Sequence, residues 1–150
     1  MALGPTTYKT TNIINSIGSN LTAREGCGLV LSAVNQVDLA TNTTQVPYGI
    51  LVTGTDSLTP GTYPSPIGDA ALELVDQLGC CVQVLISSDG NVSAGEFLII
   101  SANDGDGTFV STNVVPSVAG DWVWGYALTA SPAGGQFLAR FQPYKVYSLT

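Results

Sequence analysis

The side chains able to do chemistry are few and poorly spaced for it. The 150-residue sequence has no histidine, which removes the commonest general base and metal ligand. Its acidic residues stand singly, so no spacing pairs two carboxylates for acid–base work. Asn103-Asp104-Gly105-Asp106-Gly107 has the oxygens of a calcium loop. An EF-hand, however, needs oxygens at positions 1, 3 and 5, Gly at 6 and Glu at 12. Gly105 and Gly107 break that order and no Glu closes the run, so the stretch reads as a β-turn. Cys80 and Cys81 are adjacent, not the Cys-x-x-Cys of a redox site. The Gly-rich stretches lack the Lys of a phosphate loop. These residues supply no acid, base or nucleophile, and they imply no enzyme, metal or cofactor.

Two features remain. Trp122, Trp124 and Tyr126 alternate along one run, and strict alternation puts them on one face of a strand. They could stack sugar rings; packing in a core or an interface is their plainer role. Asn20-Leu21-Thr22, Asn42-Thr43-Thr44 and Asn91-Val92-Ser93 fit the glycosylation pattern. Met1 to Pro5 lacks the charged and apolar regions of a signal peptide, so these matches read as accidental.

Charge narrows the partners. Lys9, Arg24, Arg140 and Lys145 are the only cations and the net charge is −7. A phosphate-backbone binder needs clustered Lys and Arg, so neither nucleic acid nor an anionic membrane is expected. No run approaches the ~20 apolar residues of a membrane span. Charged residues make up 10% of the chain, against the usual ~25%. A surface built from Thr, Ser, Asn, Gln and Gly has little charge to keep copies apart, which points to covered faces or an assembly. The three cysteines form no disulfide framework and read as small, reduced, buried side chains.

The elements that position these residues are short. Cys80 to Ile86, Phe97 to Ser101 and Thr108 to Val110 are apolar runs rich in Val and Ile, separated by turn residues, and read as strands. Tyr48 to Thr53, Trp122 to Thr129 and Phe137 to Phe141 read likewise. Gly54 to Gly68, with Pro60, Pro64 and Pro66, is a long loop. Asp69 to Gly79 fits either a capped helix or a strand turning at Asp76-Gln77 to pair with Cys80 to Ile86, and the strand is favoured. The expectation is an all-β fold, a small single-domain barrel or sandwich over residues 21–150, with at most one short helix. Residues 1–20 read as an extended arm, in which Ile13, Ile14 and Ile17 are a short strand or an anchor.

The chain also echoes itself. Gly26 to Ala33 resembles Gly95 to Ala102 at an offset of 69, and Tyr48 to Thr53 resembles Trp124 to Thr129 at an offset of 76. The extra residues fall around Asp104 to Asp106 and Val114 to Gly120. Two related β halves are expected.

Val92-Ser93-Ala94-Gly95-Glu96-Phe97-Leu98, Asp104-Gly105-Asp106-Gly107-Thr108-Phe109 and Trp124-Gly125-Tyr126-Ala127-Leu128-Thr129 together resemble the small capsid decoration, or cement, proteins of tailed bacteriophages. The resemblance covers roughly residues 22 to 141. It implies a β-tulip-like fold and a non-enzymatic virion protein. Such a protein sits on the outer capsid surface and reinforces contacts between copies of the major capsid protein, often as a homotrimer. On that reading Leu3, Tyr8 and Ile13 in the arm, Trp122 and Trp124, and Tyr144 and Tyr147 in the tail make the capsid or subunit contacts. The alternative is a carbohydrate-binding or adhesive module of a virion fibre or cell surface, using the two tryptophans.

Overall fold

The computed structural model describes residues 11–21, 24–34, 36–51, 69–76, 82–87, 89–103, 105–112 and 120–147, with 11–16, 69–76 and 82–87 described as backbone. They form strands and no helix. The strands are β1 (Thr11–Ile17), β2 (Gly28–Ala33), β3 (Gln36–Leu39), β4 (Gly49–Leu51), β5 (Asp69–Asp76), β6 (Val82–Ser87), β7 (Phe97–Ile100), β8 (Phe109–Thr112), β9 (Trp122–Ala127) and β10 (Gln136–Lys145). They make two five-stranded sheets. The first runs β1-β3-β2-β4-β5, and β1 pairs with both β3 and β5, so that sheet closes on itself. The second runs β6-β10-β9-β7-β8 and stays open. The chain is thus two packed sheets, sandwich-like, not one barrel around a single axis.

The two sheets are the same unit twice. In each, the second strand pairs with the third and fourth, the fourth with the fifth, and the fifth with the first. The registers match as well. Gly28↔Ile50 and Leu29↔Gly49 in the first sheet correspond to Phe97↔Tyr126 and Leu98↔Gly125 in the second. Gly26 and Gly95, both at positive φ (79° and 85°), sit two residues before β2 and β7. Each is the third residue of a turn closed by a bond from Cys27 N to Arg24 O or from Glu96 N to Ser93 O. That position of a type II turn requires positive φ, which glycine meets without steric cost. The flanking bonds recur too: Gly26 N to Leu51 O and Leu51 N to Cys27 O, then Gly95 N to Ala127 O and Ala127 N to Glu96 O. The offset of 69 between β2 and β7 becomes 72 between β3 and β8 and 76 between β4 and β9. Three of the seven extra residues therefore lie in the β7–β8 turn and four between β8 and β9.

Each half has its own interior. Ile17, Leu21, Cys27, Leu29, Val37, Leu39 and Leu51 pack together in the first, with Tyr48 against them. Leu98, Phe109, Trp124, Ala127, Phe137, Ala139 and Phe141 pack in the second. The first half's outer face, Val30, Ala40 and Ile50, belongs to the second cluster. Strands β2 and β4 are consequently buried on both faces where they meet the other half. Gly28 is the point of closest approach: a Cβ there would lie 2.9 Å from both the Ile100 Cδ1 and the Trp124 ring. Hydrogen bonds stitch the same seam, from Gly28 N to Gly107 O at 2.8 Å and from Trp122 N to Thr43 O at 2.7 Å.

Three expectations change. Asp69 to Gly79 does hold a strand, but β5 pairs with β4 and β1 and not with the run after Cys80. The junction between the halves lies there, so each neighbouring strand completes its own sheet. The arm expected over residues 1–20 is part of the fold from Thr11 onward, because β1 is the strand that closes the first sheet. The tail begins later than Tyr144, since β10 runs on to Lys145 beside Trp122. The Pro-rich loop, Cys80 and Cys81 lie outside the described residues. Cys27 is buried.

Candidate interaction surface

The residues expected to make contacts divide in three. Leu3 and Tyr8 lie outside the described residues. Ile13 is opposite Leu72 in the β1–β5 ladder. The remaining four lie in the second half, and one is not on the surface.

Trp124 is fully buried, with its ring 5.3 Å from Phe109 in an edge-on arrangement and 6.1 Å from Phe141. It cannot stack a sugar or touch a capsid in the folded protein, which corrects its assignment as a contact residue. The cause is local. Gly125 has φ 149°, outside the region of a regular strand, so the residues on its two sides do not keep the alternation that would place Trp124 beside Tyr126. Only glycine fits there, because a Cβ would fall 1.8 Å from Arg140 O. The Trp124 Nε1 is buried without a partner among the described residues.

Trp122, Tyr144 and Tyr147 lie at the same end of the β9–β10 pair. Trp122 is opposite Lys145 and Tyr144 is opposite Val123, just past a bulge in β10. Val146 N donates to Asp121 O and Gly120 N donates to Val146 O, pinning the chain end to the start of β9. The Thr43 hydroxyl donates to the Asp121 carboxylate at 2.8 Å, tying in the loop of the first half. Tyr144 is 41% and Tyr147 75% exposed. Partial burial raises the Tyr144 phenol above its usual 10.0, because desolvation penalises the phenolate.

The other large exposed apolar residues are Leu31, Val34 and Val46, at 52%, 100% and 58%. Sequence reasoning missed all three. Leu31 lies inside an apolar strand and Val34 in the turn after it, so pattern alone marked the first as core. On the second half, Phe97, Ile99 and Tyr126 are only partly buried on the outer face.

Four of the described carboxylates are occupied by neighbours. Asp106 pairs with Arg24 at 2.9 Å across the seam. Asp38 accepts from the Ser19 hydroxyl, Asp89 from Ser101 and Glu96 from Ser111. The Asp106 turn therefore fastens the two halves. Among the described residues no three His, Cys, Asp or Glu side chains group as a metal site. What this surface offers is aromatic and aliphatic contact area on a rigid β frame.

The fold and surface define a class, a tandem of two equivalent five-stranded β units with exposed apolar patches. No family model matches the chain and no curated protein matches it. Among solved structures, it resembles the N base of the head fiber gp8.5 of bacteriophage phi29. The TM-score is 0.57 at 15% identity, over 89% of this chain and 95% of that one. The likeness is one of fold.

Proposed function

We propose that this chain is a structural protein of a tailed-phage virion that seats on the outer surface of the capsid and stabilises contacts between major capsid subunits. The observation that carries the reading is the match, over nearly the whole of both chains, to the base of a fibre on a phage head. The sequence resemblance to capsid decoration proteins, argued from other residues, points the same way. A net charge of −7 with four cations disfavours direct nucleic-acid binding. The protein acts by contact and not by catalysis, as a homotrimer, with residues 1–10 and the Tyr144–Tyr147 end as candidate contacts. Many weak contacts repeated around a shell give avidity that a single contact lacks. The sugar-binding alternative loses half of its tryptophan platform to the core.

The test is cosedimentation with undecorated shells, using the whole chain and a variant lacking residues 2–10. The whole chain should bind at fixed stoichiometry and raise the temperature at which shells rupture. The truncated chain should bind with lower occupancy. Failure of the whole chain to bind shells overturns the reading; equal binding by both forms removes the arm from it.

A further inference from the structure

The repeat makes it possible to ask, position by position, what each half does with the surface that the other half uses. The first half presents its outer face, Gly28, Val30 and Ile50, to the second. By the shared register the same positions in the second half are Phe97, Ile99 and Tyr126. These are only partly buried and are absent from both buried clusters. On the receiving side, the second half meets the first through Ile100, the turn carrying Asp106, and Trp122. The equivalent places in the first half are Leu31, the β2–β3 turn with Val34, and Val46. Those are the three most exposed large apolar side chains among the described residues of that half.

The intramolecular contact is heterologous, an outer face against a different face. A tandem of such units leaves one inserting face and one receiving face unused, at opposite ends of the series. Here both unused faces are apolar, and their sizes have exchanged. Inside the chain a glycine, Gly28, meets the large Trp124. At the free faces Phe97 replaces the glycine and the smaller Tyr48 replaces the tryptophan. Bulk has moved from the receiving side to the inserting side, as filling the same gap requires.

We propose that copies of this chain dock head to tail, with Phe97, Ile99 and Tyr126 of one copy against Leu31, Val34 and Val46 of the next. The contact repeats between chains the one that joins the halves within a chain. Such an interface generates a ring if the rotation closes and a filament if it does not. The proposal is independent of what surface the assembly sits on.

The experiment uses the whole chain in native mass spectrometry and sedimentation velocity. One variant, Leu31→Glu with Val34→Glu, disables the receiving side. A second, Phe97→Ser with Tyr126→Ser, disables the inserting side. Circular dichroism checks that each keeps its β signal. The unsubstituted protein should exceed one chain in mass, and each variant should self-associate at least about tenfold more weakly, the effect of losing one interface anchor. A one-to-one mixture of the two variants retains one intact interface per pair, so it should stop at a complex of two chains. The proposal is overturned if the unsubstituted protein stays a single chain at every concentration, or if the receiving-side variant assembles as it does. It is also overturned if two folded variants fail to pair in the mixture. Val34 is fully exposed, so Val34→Glu alone tests the receiving side without a folding risk.

Discussion

The two halves share strand order, register and turn glycines, yet their packing differs. The first closes through the parallel pairing of β1 with β3 and fills its interior with aliphatic side chains, Leu29, Val37 and Leu51 among them. The second stays open and fills the equivalent space with Phe109, Trp124, Phe137 and Phe141, together with the other half's outer face. A closed sheet satisfies its own edges. An open one needs larger side chains and a neighbour's face to exclude water. The shared strand pairings and registers were held constant while closure and side-chain volume adapted to position in the tandem.

That comparison can be broken most severely at Trp124. Trp124→Ala should destabilise the protein by about 3–5 kcal/mol, the usual cost of emptying a large buried site. Tyr48→Ala, at the equivalent but partly exposed position of the first half, should cost clearly less. Urea titration followed by circular dichroism measures both, and equal losses would mean that the two interiors are energetically alike.

The seam comes next. Gly28→Ala places a methyl group 2.9 Å from Ile100 and Trp124, and overpacking of this kind costs about 1–3 kcal/mol. Gly95→Ala meets no atom within 4 Å, but its positive φ makes the substitution a strain on the turn alone. Fluorescence, which reports the tryptophans of the second half, should shift in Gly28→Ala and stay as in the parent in Gly95→Ala.

A smaller effect is expected at Arg24 and Asp106, whose side chains are 35% and 38% exposed. A double-mutant cycle should give a coupling of about 0–1 kcal/mol, shrinking as salt is added. A larger value would make charge, and not apolar contact, the principal bond between the halves.

The smallest effect concerns Tyr144. Its folded-state value lies above the ordinary 10.0 because of burial. Ionisation therefore opposes folding: the stabilisation is complete below the unfolded value and is lost as pH rises through the folded one. Tyr144→Phe should lose less stability than the parent in alkaline solution and match it at neutral pH. Thermal melts across that range show which occurs.

Sequence alone determined the all-β class and the doubling with its two length changes. Each of these is written in local signals, such as apolar runs bounded by Gly, Asp and Asn, and in an echo that survives in register. Tertiary structure decided the rest. Pairing of β5 with β1 rather than with its successor depends on strands far apart in sequence, which no local pattern encodes. Leu31 is exposed and its counterpart Ile100 buried, although the strands read alike, because only Ile100 has the other half lying on it. Trp124 is core because Phe109 and the other half's Gly28 pack on its ring, whereas Tyr126, past the glycine that breaks the alternation, stays partly exposed. Side-chain pattern names the faces of a strand; what covers each face is settled only when the sheets pack.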